Sequence, residues 1–370
     1  MDERMTRIAL ACLVEPGSPG IAQAVAEHGP QEVLRRLSAE SPVAPPPEGR
    51  LRPEQVGQML DAQHHRGVRV LVAGDPEFPS QLLDLPEPPL ALWVRGPLDL
   101  RLTALRSVAI VGARACTAYG ERATFELAGG LAQSGWAVVS GGAFGIDAAA
   151  HRAALAVDGP TVAVLACGVD VAYPRAHDAL IHRIADCGAV LSELPPGSAP
   201  LKHRFLSRNR VIAALTRGTV IVEAARRSGA IATANRALEL GREVMAVPGP
   251  ITSMASACTN RLLFERSARA VASAEEVSDA LLGAAVPIGP TQSALPLPLP
   301  QPDAAGPGPT TGLGEPARAL LAVLPARGGM TLDQVAGRAG VPPAGCLAQL
   351  GVLEVLGLAR RTQRGWRRID

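Results

Sequence analysis

Val108-Ala109-Ile110-Val111-Gly112-Ala113-Arg114 is a short run of small and β-branched apolar residues that ends in glycine and arginine. Ala137-Val138-Val139-Ser140-Gly141-Gly142-Ala143-Phe144-Gly145-Ile146-Asp147 repeats the plan with a longer glycine-rich turn. Unbroken apolar runs of this length read as strands buried on both faces, and a helical stretch follows each turn. The same alternation predicts further strands over 161–165, 189–192, 219–223 and 243–247. Helices are expected near 119–134, 148–156, 177–186, 205–215 and 233–240. Strand alternating with helix over residues 108–286 predicts an α/β domain with a doubly wound, parallel, Rossmann-like sheet.

Both turns place a strand end against a helix N-terminus, where free N–H groups and the helix dipole favour an anion. Gly112 lets the backbone approach a ligand. Arg114 offers a forked phosphate contact, and Thr117 lies just ahead of the helix. Alternatively, this is a plain strand-to-helix turn with a surface arginine. The dinucleotide fingerprint GxGxxG is missing, which counts against an NAD-type cofactor. Ser140, Gly141, Gly142 and Gly145 form the second turn. Asp147 falls where an N-cap is expected, and capping is favoured over catalysis for it. His151 is read as packing under the loop, with phosphate contact as the alternative.

Residues 194–222 contain no acid, yet they hold Lys202, Arg204, Arg208, Arg210 and Arg217. Phe205 lies three residues after Lys202, and Asn209 lies one helical turn after Phe205. Cations for phosphates and an aromatic for a base make the recurring kit for single-stranded nucleic acid. The plainer reading is a core phenylalanine on a helix with a solvated basic face. Beside two glycine-rich turns, the pocket reading is preferred.

The surrounding chain is modular. Residues 1–65 read as short helices separated by Pro16-Gly17 and Gly29-Pro30. They resemble a helix-hairpin-helix or SAM-like domain, and the last helix starts near Arg52 and Pro53. Residues 66–286 include transitional runs at 68–72 and 90–94 and then the α/β domain. Residues 287–313 are rich in Pro and Gly and predict a linker. Residues 314–370 predict three helices and a hairpin turning near Gln363, Arg364 and Gly365, as in a winged helix. Its Arg360, Arg361, Arg364, Arg367 and Arg368 fit phosphate contact or protein docking equally.

A length of 370 residues suits two or three domains. With a net charge of only +2, any nucleic-acid site has to be local. The six cysteines form no CxxC pair and no zinc spacing, so no metal or cofactor is expected. No apolar run is long enough for a membrane helix, and residues 8–14 lack the flanks of a signal peptide, so a cytoplasmic protein is expected.

The ordered motifs resemble the DNA-processing DprA/Smf family over roughly residues 68–275. They are Gly112-x-Arg114, Thr117-x-Tyr119-Gly120, Ser140-Gly141-x-Ala143-x-Gly145-Ile146-Asp147, Lys202…Phe205 with Arg208-Asn209-Arg210, Val222-Glu223-Ala224, Ser228-Gly229-Ala230 and Val247-Pro248-Gly249. The resemblance implies a non-enzymatic single-stranded DNA-binding protein. Such a protein protects incoming DNA, loads the recombinase RecA during natural transformation, and forms a homodimer. It implies DNA contact at Arg114, Lys202 and Phe205, with the turn 140–147 as the pocket floor. The chain departs from the family pattern at Ala113, where a serine hydroxyl is often present. It departs again at Cys258-Thr259-Asn260 and Ser267-Ala268, on the far rim of the sheet. The alternative is a LOG-type nucleotide N-glycosidase on a similar fold. Its PGGxGTxxE signature is missing, and Glu223 is expected to pair with a loop N–H or an arginine.

Overall fold

The computed structural model describes residues 2–40, 55–225, 228–283, 315–326, 328–355, 358–362 and 365–369. The expected linker at 287–313, the helix start at Arg52 and Pro53, and the turn residues Gln363 and Arg364 lie outside these. The chain divides into two units, Met1–Val286 and Pro287–Asp370.

The first unit is built on a nine-stranded sheet in the order β1-β2-β6-β5-β4-β3-β7-β8-β9. Its strands are β1 (Val68–Leu71), β2 (Leu92–Arg95), β3 (Ser107–Val111), β4 (Ala137–Ser140), β5 (Thr161–Val164), β6 (Ala189–Ser192), β7 (Gly218–Ile221), β8 (Glu243–Ala246) and β9 (Arg269–Ala270). Strands β3 to β9 pair in parallel, while β1–β2 and β2–β6 pair antiparallel. The sheet is therefore mixed but mostly parallel, of the Rossmann-like class. From β3 the chain winds outward through β4, β5 and β6. It then returns to place β7 on the other side of β3, so the topological switch lies between β3 and β7.

Alternation along the strands fills both faces. Ala109 and Val111 of β3 join one core with Val211, Ile212 and Leu215 of α8 (Lys202–Leu215) and Ala230 and Ala234 of α9 (Gly229–Glu239). Val108 and Ile110 join the opposite core. There they meet Leu127 and Leu131 of α5 (Ala118–Gln133), Ala150 and Ala153 of α6 (Ile146–Ala156), and Val277 of α11 (Ala274–Leu282). Fully burying each Val, Ile or Leu contributes roughly 1.5–3 kcal/mol, so the two faces together hold the sheet. A third core joins Ile8 and Cys12 of α1 (Glu3–Leu13), Val56 of α3 (Val56–His64), Trp93 of β2, and Ile181 and Ile184 of α7 (Asp178–Cys187).

The break expected at Gly29-Pro30 is present: within α2 (Ile21–Glu40) two helical segments meet at a kink at Gly29, with φ 78°. Pro30 has no N–H to continue the ladder, which fixes the kink there. Two helices complete the unit, α4 (Leu100–Leu105) and α10 (Ala257–Phe264). No described helix is long and apolar enough to cross a membrane.

The second unit carries α12 (Glu315–Val323), α13 (Leu332–Ala339), α14 (Pro343–Val355) and the hairpin of β10 (Ala359–Thr362) and β11 (Gly365–Arg368). Leu320, Val335, Leu350, Leu353 and Trp366 share its core. Thr331 and Gln334 form a capping box at the start of α13, and Gly340 ends that helix in the left-handed region.

Candidate functional site

The first turn leaves β3 at the topological switch, where open α/β sheets bind ligands. Thr117 caps α5, its hydroxyl accepting from the Gly120 N–H. Across the switch, Glu223 follows β7 and is only 2% exposed. Its two carboxylate oxygens accept from the Thr117 N–H at 2.8 Å and the Thr117 hydroxyl at 2.7 Å. The expected pairing of Glu223 with a loop N–H is met by Thr117. A methyl on Gly112 would stand 2.5 Å from Ile146 Cγ1 and 2.9 Å from the Glu223 carbonyl oxygen. This glycine therefore allows the turn to lie against both α6 and the end of β7.

The second turn packs on the first. Ile146 N–H donates to the Ala113 carbonyl at 3.2 Å, and Gly145 stands at φ 74° with its Cα against the same carbonyl. A side chain there would collide with the first turn. The expectation for Asp147 needs correction. Gly145 holds the N-cap position of α6, and Asp147 lies inside the first turn of the helix. Its carboxylate accepts from the N–H groups of Gly141 and Ala143, at 3.2 and 3.3 Å. Two amides that a phosphate could have used are thus filled by an internal carboxyl group.

Arg208 completes this floor from α8. It is 7% exposed and donates to the carbonyls of Gly141 at 2.7 Å and Val164 at 2.6 Å. Burial pushes the Asp147 carboxyl up, opposed by the charge of Arg208 and the amides. Burial also pulls the guanidinium of Arg208 down, opposed by Asp147. Ser140 is fully buried and donates to the Ile110 carbonyl at 2.7 Å. The Gly142 carbonyl accepts from His177 Nδ1 at 2.9 Å. His151 packs as expected. It is buried with Nδ1 2.8 Å from the Thr161 hydroxyl, and burial, Arg208 and His177 pull its pKa down to about 3.

Above the floor lies an exposed cation–aromatic surface. Helix α8 begins at Lys202, three residues before the expected start, so Lys202 and Phe205 share its first turn. The Arg114 guanidinium carbon lies 5.3 Å from the Phe205 ring centre, and the Tyr173 ring lies 5.5 Å from it, tilted by 56°. Phe144, on the second turn, meets His177 edge-on at 4.7 Å. Arg114, Lys202, Tyr173 and Phe144 are exposed, and Phe205 is half-buried. Among the described residues, neither Arg114 nor Lys202 is within ion-pair distance of a carboxylate.

The twelve residues singled out from the sequence therefore separate by role. Arg114, Thr117, Lys202 and Phe205 reach the surface, and Gly112, Gly141, Gly142 and Gly145 shape it. Ser140, Arg208 and Asn209 lie beneath it, with the Asn209 amide donating to the Gly229 carbonyl at 3.2 Å. Arg210 points away, bonded to Glu193 at 2.5 Å and to the Glu87 carbonyl at 2.6 Å. Two surface residues escaped the sequence reading, Phe144 and Tyr173. Each is an aromatic inside a Gly- or Pro-marked loop, in a chain with few aromatics, and that was the available signal.

Fold and site together define a Rossmann-like α/β protein with its free polar and aromatic chemistry at the carboxyl edge of the sheet. The chain belongs to the DNA recombination-mediator protein A family, whose profile matches residues 69–282. A Mycobacterium tuberculosis relative is 41% identical over 377 residues, covering 97% of this chain and 92% of the relative. DNA processing protein DprA of Streptococcus pneumoniae is 41% identical over 201 residues, covering 54% of this chain and 70% of that protein. The X-ray structure of Streptococcus pneumoniae DprA superposes with a TM-score of 0.60 at 32% identity, over 75% of this chain and 97% of that one. A Helicobacter pylori DprA structure, solved to describe that protein's single-stranded DNA binding mode, gives a TM-score of 0.53 at 31% identity. It covers 59% of this chain and 96% of its own.

Proposed function

We propose that this protein binds single-stranded DNA along the carboxyl edge of its sheet and acts in DNA processing and recombination. The carrying observation is the Arg114–Phe205–Tyr173 group beside the exposed Lys202. Unpaired bases offer π-faces to Phe205, Tyr173 and Phe144, while Arg114 and Lys202 meet phosphates. A duplex hides those faces, so the surface selects single strands. The Helicobacter pylori relative's single-stranded DNA binding supports this reading.

The protein works by binding and carries out no bond chemistry. Protection of incoming strands, delivery to RecA during natural transformation, and action as a homodimer complete the proposal. A glycosidase would need a strand-end carboxylate facing its substrate, and Glu223 is buried with both oxygens on Thr117.

The test is a titration of labelled oligo-dT against a duplex of equal length over a salt series. Preferential single-strand binding that weakens with salt is expected. Preference for the duplex, or release of free base from nucleoside monophosphates, would contradict the proposal.

A further inference from the structure

The first turn of α8 carries Lys202 and Phe205, yet its N-cap, Leu201, makes no side-chain capping bond. A helix start without a cap frays unless something else holds it. Here the holder is Arg204, 4% exposed on its side chain, between the two surface residues in sequence. Its Nη1 donates to the Ala199 carbonyl at 2.7 Å, just ahead of the helix. Its Nε and Nη2 donate to Glu15, at 3.1 and 2.8 Å, in the two-pronged geometry that fixes a guanidinium plane. Glu15 Oε2 also lies 3.4 Å from His203 Nε2.

Glu15 belongs to the connection between α1 and α2, far from the switch point in sequence. That connection touches α8 twice. At Gly17, with φ 73°, an added methyl would stand 2.9 Å from Arg210 Nε, so the backbone lies directly on the second arginine. Arg210 reaches the Glu87 carbonyl, and the Glu87 carboxylate accepts from the N–H groups of Gly20 and Ala22 at 2.6 and 2.8 Å. One polar network thus runs from the N-terminal helices to both ends of the basic half of α8.

We propose that Glu15 is a positioning residue for the single-stranded DNA surface, holding Arg204 so that Lys202 and Phe205 face the strand together. This rests on the function proposed above. An ion pair serving only the fold would lower stability and leave the affinity of the folded protein unchanged. A positioning residue changes affinity, and it does so through Lys202 and Phe205.

Anisotropy titrations of oligo-dT with the full chain, at a temperature where circular dichroism shows each variant folded, separate the two. Glu15→Ala is expected to bind about tenfold more weakly, and Glu15→Asp to recover most of the loss. Added to the Lys202→Ala/Phe205→Ala double variant, Glu15→Ala is expected to cost less than about twofold, because residues acting as one unit are not additive. Wild-type affinity in Glu15→Ala, or its full loss repeated in the double variant, overturns the inference alone. Wild-type affinity in the Lys202→Ala/Phe205→Ala variant overturns the surface itself and the inference with it. If Glu15→Ala does not fold, Arg204→Lys keeps the charge and loses the fork. It is expected to weaken binding similarly, and unchanged affinity there overturns the proposal.

Discussion

The Arg114 guanidinium carbon lies 5.3 Å from the centre of the Phe205 ring, although Arg114 follows β3 and Phe205 belongs to the first turn of α8. The contact exists because β3 is the innermost strand of the winding and α8 is the helix that returns the chain to its other side. An exposed cation–π contact is worth only about 0.5–1 kcal/mol, so its importance is geometric. It holds a cation and an aromatic face ready before a ligand arrives.

Tyr173 extends that face. Replacing it by alanine is expected to weaken oligo-dT binding by about 1–3 kcal/mol if a base stacks there, with little change in thermal stability because the ring is exposed. Filter-binding or anisotropy measurements at fixed salt check this. Undiminished affinity would remove Tyr173 from the surface.

Arg208 behaves differently from Lys202, although both lie in the same acid-free run. Arg208→Ala strips bonds from the buried Gly141 and Val164 carbonyls and removes the positive charge that opposes the effect of burial on Asp147. A loss of about 2–4 kcal/mol of stability is expected from the two buried carbonyls left without a donor. Lys202→Ala should leave the melting temperature within a degree or two, since exposed substitutions usually change stability by less than about 0.5 kcal/mol. Equal melting temperatures for the two variants would contradict the assignment of Arg208 to the floor.

Gly145 is the point where the two turns touch. Alanine there places a methyl against the Ala113 carbonyl in a backbone conformation with φ 74°. Both strain and overpacking apply, and a destabilisation of about 1–3 kcal/mol in urea unfolding is expected, together with weaker binding. Gly197 also has a positive φ but open space around it, so Gly197→Ala is expected to cost less. A reversed order would count against close packing of the turns.

His151 gives the protein a predictable acid sensitivity. Burial pulls its pKa from 6.5 to about 3 in the folded state, while the unfolded chain titrates near the ordinary value. Between those limits the unfolded state binds the additional proton. Stability therefore falls as pH drops from about 6.5 towards about 3, by up to about 1.4 kcal/mol per pH unit. His151→Asn removes this titration and should flatten the dependence of the urea midpoint between pH 6.5 and 4. An unchanged slope would show that other groups dominate the window.

Much of the fold was legible because strands such as 108–111 and 137–140 are unbroken apolar runs ending in glycine. A parallel sheet buried on both faces requires that pattern. The antiparallel pairing of β2 with β6 was not legible, since neither run carries a signal for its partner. At the candidate site, Arg114, Lys202 and Phe205 are singled out by residue chemistry, and the structure places them on the exposed carboxyl edge. Arg208 and Arg210 could not be distinguished from them, because direction on a helix is decided by what packs beside it. Arg208 turns under the sheet edge, and Arg210 turns to Glu193. Asp147 stands in the sequence where an N-cap is expected, just ahead of the predicted helix. Gly145 fills that position, and Asp147 is left to bind the turn's own amides.

The central claim is that Lys202 and Phe205 form part of a single-stranded DNA surface on an intact fold. The most direct measurement is oligo-dT affinity of the Lys202→Ala/Phe205→Ala variant against wild type, across a salt series, with circular dichroism on the same samples. The account predicts a native spectrum, affinity reduced by more than about tenfold, and a log–log salt slope shallower by about 0.7 for the lost phosphate contact. A folded double variant that binds with wild-type affinity and wild-type salt slope would contradict it.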